Sequence, residues 1–419
     1  MKKFLSIFLI ILFMLNFSAC GEKSGEDEPW YNLKTEFKTD GQLYTESQVS
    51  LPNQLWQTPE SERYDVWDVG CAKGYFIKSV QETWAFCLVG IPEGASEENK
   101  VPGIVLVHGG GGTAYQQWVN FWVNRGYAAI AIDTEGTIPN EKTYMNNANR
   151  SLSPKTPRGP LNGGYDDIEK PIEEQWSYHG IAATIVANSF LRSFEGVDKN
   201  KIGITGISYG SYLCWQTIAY DDRFVFAAPV YGSPYQQGKD TSWGTVMMVG
   251  KVAEYWDDAN GLKYNNTPIL FFNSNIDKAF SIEATTESVQ KIPNSYMILR
   301  NGFLHGHDLG GLEVDEVYAF ADSICKNESG LIKFITQPDG SDFPSVEISV
   351  PKGVKVESVF AFYTESETLN SDTKWNFVLG DFGDSAVSAS IPGNAKYYYI
   401  NVIDERGLEV SSCVVEFNG

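Results

Sequence analysis

Apolar positions change their rhythm twice along this chain. Residues 21 to about 60 are polar and irregular, with Pro, Gln, Ser and Glu, and read as a tether or wrap. From Tyr64 the chain alternates as strands do, and residues 74–80 and 83–89 predict a β-hairpin. Continuous apolar runs follow at 103–107, 127–132, 202–205, 224–230, 269–272 and 296–299. Segments of helical period separate most of them, at 114–124, 172–193 and 282–291. A strand buried on both faces needs no polar alternation, so apolar runs interleaved with helices predict a mostly parallel sheet covered on both sides. After residue 324 the pattern becomes all-β. Short strands are predicted at 346–350, 359–364, 374–378, 386–391, 396–403 and 410–417, punctuated by Pro, Gly, Asn and Asp. The expected organisation is a targeting segment over 1–20, a tether over 21–60, an α/β domain over 61–330 and a small immunoglobulin-like β-sandwich over 331–419.

Composition narrows the function. The chain has 419 residues, 42% of them hydrophobic, enough for a large core. Its formal net charge is −21, which argues against binding nucleic acid or anionic membrane, since phosphate recognition needs a basic footprint. A neutral polymer such as a polysaccharide meets no such barrier. Met1-Lys2-Lys3 and the apolar stretch 4–17 form a signal segment too short to span a bilayer. Ser18-Ala19-Cys20-Gly21 then resembles a bacterial lipobox, with Cys20 as the lipidated residue. A lipid anchor on Cys20 is the only membrane attachment expected, in the periplasm or on the cell surface. Of the six cysteines, five remain after Cys20; Cys71 and Cys87 lie in neighbouring strand-like segments and are candidates to pair, while Cys214 reads as packing.

The chemistry centres on Gly206-Ile207-Ser208-Tyr209-Gly210, which follows the apolar run 202–205 and precedes a helix-like segment. A G-x-S-x-G between strand and helix is the nucleophile elbow of α/β-hydrolases. Such a turn leaves no room for side chains beside the serine, and glycine tolerates the backbone angles it demands. Chance alone supplies the pentapeptide with a probability on the order of one in four in a chain of this composition, so the partners must decide. A serine hydroxyl needs a base. Of the four histidines, His108, His179, His305 and His307, only the last two follow Ser208, as the order serine, acid, histidine requires. The loop after the last predicted strand reaches His305 first; His307 is the alternative base or a supporting donor. Asp277 follows the strand 268–272 across a polar turn; Asp257 and Asp258, its rivals, lie in a segment without strand character. The alternative for Asp277 is to cap the next helix. For the oxyanion, one backbone N–H is expected from Tyr209 and another from His108-Gly109-Gly110-Gly111-Gly112, with Gly110 and Gly111 as candidates. A phosphate loop would carry G-K-[ST], which is missing. His305-Gly306-His307-Asp308 lacks the spacing of a helical zinc motif, so neither a metal nor a cofactor is expected.

Together these residues resemble a family of secreted bacterial α/β-hydrolases described as acetyl xylan esterase-like and related to the dienelactone hydrolases. The matching segments are residues 101–114, 125–133, Gln175-Trp176-Ser177-Tyr178-His179, residues 203–210 and Leu304-His305-Gly306-His307, with residues 404–412 matching the small β-domain such proteins carry. The resemblance implies an α/β-hydrolase fold, a triad of Ser208, Asp277 and His305, an oxyanion site at Tyr209 and the glycine loop, and acyl esters of carbohydrates as substrates. Ser211 stands where a third glycine is common, narrowing the space behind the nucleophile. Residues 233–265 hold Tyr235, Trp243, Met247, Met248, Tyr255 and Trp256, which either stack on sugar rings or pack a cap onto the sheet. Two further readings are a prolyl-oligopeptidase-like peptidase and a decayed, glycan-binding surface lipoprotein.

Overall fold

Six parallel strands bring their carboxyl ends to one edge of a sheet, and the candidate site gathers there. The computed structural model describes residues 49–66, 70–140, 150–257, 262 and 266–419. Cys20 and the targeting segment lie outside the described residues. The described residues form one compact unit.

The strands are β1 (Ser61–Tyr64), β2 (Ala72–Lys78), β3 (Trp84–Gly90), β4 (Val101–Val107), β5 (Ala128–Ile132), β6 (Thr137–Pro139), β7 (Arg150–Leu152), β8 (Val197–Ile207), β9 (Ala227–Val230), β10 (Ile269–Ser274) and β11 (Ser295–Arg300). Their order across the sheet is β1-β2-β3-β5-β4-β8-β9-β10-β11. Pairing is antiparallel up to β5 and parallel from there on. The apolar runs are the reason: β5 and β10 are buried at every position, as strands covered on both faces must be. The expected hairpin is β2–β3. The short hairpin β6–β7 was not foreseen, because three-residue strands carry too little alternation to read.

Helices α1 (Gln116–Asn124), α2 (Trp176–Leu191), α3 (Tyr209–Tyr220), α4 (Lys251–Trp256), α5 (Ile282–Lys291), α6 (Leu309–Leu312) and α7 (Asp315–Lys326) connect them. Every residue of α2 is buried, so it is a core helix with no polar stripe. It lies against β4, β5 and α3. Part of the expected tether closes over it: Leu51 and Leu55 are buried, and Ser189 Oγ donates to the Leu55 carbonyl at 2.6 Å.

Among the described residues the five cysteines are free. Cys71 stands one position before Ala72, whose register partner is Gly90, so four strand positions, roughly 13 Å, separate it from Cys87. A disulfide needs Cα atoms within about 7 Å, so the expected candidate pair cannot form in this register. Cys71 Sγ instead donates to Asn120 Oδ1 at 2.8 Å.

The C-terminal strands are β12 (Lys333–Phe334), β13 (Ser345–Ser349), β14 (Val356–Thr364), β15 (Asn376–Phe382), β16 (Ala386–Ala389), β17 (Tyr397–Asp404), β18 (Glu409–Ser411) and β19 (Val415–Glu416). The run expected as one strand over 410–417 is two, because Ser412 turns inward: its N–H donates to the Ile400 carbonyl and its Oγ accepts from Ile400 N, each at 2.8 Å. β18 pairs with β11 at Met297↔Ser411, so these strands extend the main sheet. Ile282, Leu299, Leu369, Tyr399 and Val414 form a buried cluster between them and the sheet. At about 1.5–3 kcal/mol per buried apolar side chain, that cluster outweighs the polar contacts beside it. One of those contacts titrates usefully. Arg300 on β11 faces Glu316 and, at 3.5 Å, Glu409. Burial pushes the Glu409 carboxyl up to about 7, with Glu316 adding to the shift and Arg300 opposing it.

The folded chain therefore keeps a proton that the unfolded chain releases near the ordinary glutamate value of about 4.3. Between that value and about 7 the folded state binds more protons, so this group's contribution to stability declines as pH rises through the window. In Glu409→Gln the titration is gone, and the fall in thermal midpoint from about pH 5 to about pH 8 is expected to be smaller than in the wild type. Identical pH dependence would rule this group out.

Candidate active site

The serine turn is built by exclusion. β8 ends at Ile207 and α3 begins at Tyr209, leaving Ser208 at φ 56°, ψ −118°. A non-glycine residue there carries on the order of 1–3 kcal/mol of strain, so its surroundings must hold it. Ser208 N donates to the Val230 carbonyl at 3.0 Å. A Cβ on Gly206 would come within 2.5 Å of the Gly210 carbonyl oxygen, and one on Gly210 would overlap that of Val107. Only glycine fits either position. Ser211, where a third glycine was the common residue, is fully buried, with its Oγ 2.6 Å from the Ser208 carbonyl and 2.7 Å from that of Tyr231. It braces the turn from behind.

The structure brings His305 and Asp277 together. Asp277 follows β10 and His305 follows the adjacent β11. Asp277 Oδ2 lies 2.8 Å from His305 Nδ1. Its Oδ1 accepts from the N–H groups of Ala279 at 2.7 Å and Phe280 at 3.0 Å. Its side chain is wholly buried, while that of His305 is 22% exposed. An oxygen bonded to Nδ1 fixes the tautomer that leaves Nε2 as the base. The Tyr231 ring stacks on the imidazole at 4.5 Å, and its hydroxyl donates to the Leu304 carbonyl at 2.9 Å. Ser208 lies on the same sheet edge and shares Tyr231 as a neighbour through Ser211. His307 goes elsewhere: its ring covers Gly109 so closely that a Cβ there would overlap it. Burial, then the neighbouring charges of His305 and His108, push its pKa down to about 4.

The glycine loop follows β4. His108 is tied into the backbone on both sides of its ring. Its Nδ1 donates to the Gly109 carbonyl at 2.8 Å and its Nε2 accepts from Thr134 N at 3.1 Å. Of the two candidate donors, Gly111 requires correction. Its N–H is spent on Glu135 Oε1 at 2.8 Å. The N–H groups of Gly110 and Tyr209 have no acceptor among the described residues. The Tyr209 ring lies on Gly110, where a Cβ would stand 2.7 Å from Cδ2. Glu135, 3% exposed, also accepts from Arg150 Nη1 at 2.6 Å, and that nitrogen is 2.7 Å from the Gly112 carbonyl. A buried acid and an arginine from β7 thus clamp the loop on both sides. Nothing in the sequence pattern marked either residue, since they meet only in the folded chain.

No family model matches this chain, and no curated protein matches it. Solved structures do. An acetyl xylan esterase from Paenibacillus sp. R4 superposes with a TM-score of 0.50 at 16% identity, over 64% of this chain and 89% of that one. The chain has the α/β-hydrolase fold. Two further neighbours are acetyl xylan esterase 1 from Thermoanaerobacterium sp. JW/SL YS485 and a putative dienelactone hydrolase from Klebsiella pneumoniae subsp. pneumoniae MGH 78578. The first has a TM-score of 0.46 at 15% identity, over 68% of this chain and 96% of that one. The second has a TM-score of 0.38 at 15% identity, over 59% of this chain and 87% of that one.

In this hydrolase scaffold the aromatic residues of the 233–257 segment mostly pack. Trp243, Met248 and Trp256 are buried, and Trp256 Nε1 donates to Gln175 Oε1 at 2.7 Å. Trp243 meets Tyr209 and Phe280 at 4.6 Å each. It walls the site from the inside and offers no exposed face for a sugar ring.

Glu135→Ala leaves the Gly111 N–H and Arg150 without their partner. Urea unfolding is expected to register a loss of up to about 3 kcal/mol, the scale for breaking a buried pair. An unchanged midpoint would show that the clamp contributes nothing.

Proposed function

We propose that this protein is a serine esterase that removes acyl groups, acetyl above all, from carbohydrates. The observation that carries the reading is the buried Asp277 carboxyl bonded to His305 Nδ1, on the sheet edge where the strained Ser208 turn stands. In this mechanism Ser208 Oγ attacks the acyl carbon. His305 Nε2 takes the hydroxyl proton and returns it to the departing sugar oxygen. Asp277 orients the imidazole and stabilises its charged form. The N–H groups of Tyr209 and Gly110 receive the oxyanion; one such donor is worth about 3 kcal/mol of barrier. Water, activated by the same histidine, then releases the acyl-enzyme. Acetyl is the acyl group to test first because the Paenibacillus neighbour is an acetyl xylan esterase. We also propose that the enzyme works in the cell envelope, held by a lipid on Cys20, as the basic start, the apolar stretch and Ser18-Ala19-Cys20-Gly21 support.

Ser208→Ala and His305→Ala are each expected to lower hydrolysis of p-nitrophenyl acetate by more than roughly 10⁴-fold. His307→Gln is expected to stay within roughly tenfold of the wild type, because a ring whose pKa burial pushes down to about 4 is too weak a base for this step. Unchanged turnover in Ser208→Ala would sink the proposal. Release of acetate, rather than ferulate or methanol, from plant polysaccharides would identify the acyl group.

A further inference from the structure

Asn275 takes no part in acyl transfer, yet its amide spans the two loops that carry Asp277 and His305. It is 1% exposed and stands two residues before the acid. Its Oδ1 accepts from Gly302 N at 2.9 Å, and its Nδ2 donates to Asn301 Oδ1 at 2.5 Å. Both partners lie at the base of the histidine loop, which turns at Gly302 with φ +71°. The second hydrogen of Nδ2 points to Tyr399 Oη at 3.3 Å. Tyr399 comes from β17, one of the C-terminal strands. It is fully buried, stacked on Phe362 at 5.2 Å and met edge-on by Trp375 at 5.1 Å. Burial holds its hydroxyl well above the ordinary tyrosine range, so it stays protonated.

We propose that Asn275 is a positioning residue for the Asp277–His305 pair, and that Tyr399 carries the support of the C-terminal strands into the active site through it. The inference rests on the esterase reading. The 2.8 Å bond between Asp277 and His305 joins two loops from different strands, so its length depends on how those loops stand to each other. One amide fixes that distance, by bonding Asn301 and Gly302 from within the acid loop. One hydroxyl stops the amide from rotating away. The C-terminal strands are in this way part of the catalytic apparatus and not only an attached module.

The test uses the full chain and four proteins: wild type, Asn275→Ala, Tyr399→Phe and the double variant. The readouts are the rate of labelling by a fluorophosphonate probe, kcat and KM for p-nitrophenyl acetate, and folding by circular dichroism. Misplacing a catalytic group by an ångström costs about 10²-fold. Asn275→Ala is therefore expected to lower kcat and the labelling rate by roughly 10- to 100-fold, with KM changing less than about threefold. Tyr399→Phe is expected to lower both by roughly three- to tenfold. The double variant should be no worse than Asn275→Ala, since Tyr399 acts through Asn275. A folded Asn275→Ala that labels at the wild-type rate overturns the inference, and so do losses that multiply in the double variant. Should Asn275→Ala fail to fold, Tyr399→Phe decides alone, and wild-type labelling there overturns it. A wild-type protein that neither labels nor hydrolyses ends the esterase reading and this inference with it; a labelling wild type beside unaffected variants ends only this inference.

Discussion

A carboxyl group with no access to water must find every partner inside the protein, and Asp277 is such a group. Leaving an ionised carboxylate unpaired in an apolar interior would cost more than the net stability of most domains. Its two oxygens divide the work: one takes the N–H groups of Ala279 and Phe280, the other takes His305. The first pair curls the acid loop back on itself, and the loop then runs into the N-cap Ser281 of α5. The last bond requires the loop after β11 to arrive within hydrogen-bond reach, which the parallel register of β10 and β11 makes possible. The same residue thus fixes a loop and an imidazole tautomer.

The glycine loop answers a different need. An oxyanion site requires N–H groups that nothing else has claimed, in a place where unclaimed N–H groups are costly. In the proposed mechanism this need is met by pinning the loop beside those donors and leaving the donors alone. Glu135 binds Gly111, Arg150 binds Gly112, and His307 lies over Gly109, while the Tyr209 ring lies over Gly110. The strain at Ser208 is held in the same way, by Ser211 and the Val230 carbonyl acting on the backbone around it.

Much of this was legible in the sequence, and the exceptions share a cause. The apolar runs found β4, β5, β9, β10 and β11 because burial on both faces leaves no polar position to confuse the pattern. Residues 282–291 match α5 residue for residue, since Ser281 caps one end and Ile292 and Pro293 close the other. Chain order narrowed the base to His305 and His307, and the predicted strands before them pointed to Asp277 and His305. What the sequence could not show was which glycine N–H is free, because Gly111 is claimed by an acid 24 positions away. Nor could it show the break between β18 and β19, where Ser411 leaves for β11 and Ser412 turns to Ile400. Asn275 sat inside a recognised polar turn, but its partners come from β17 and from the loop after β11. Each miss depends on a contact between segments distant in sequence.

The C-terminal strands close the sheet at the point where closure matters most. β11 is flanked by β10 on one side, and without a neighbour on the other it would present an open edge. β18 supplies only one register pair there, at Met297↔Ser411. The rest of that edge is met by side chains: Ser411 Oγ accepts from Leu299 N at 2.7 Å, and Asn401 Nδ2 donates to the Leu299 carbonyl at 3.2 Å. Side chains thus stand in for ladder bonds on the strand that leads directly into the histidine loop. Beneath them Leu299 and Tyr399 share one apolar cluster. A strand sealed in this way cannot fray at its carboxyl end without breaking contacts in the C-terminal strands. The placement of the loop after β11 and the packing of these strands are therefore set by the same residues.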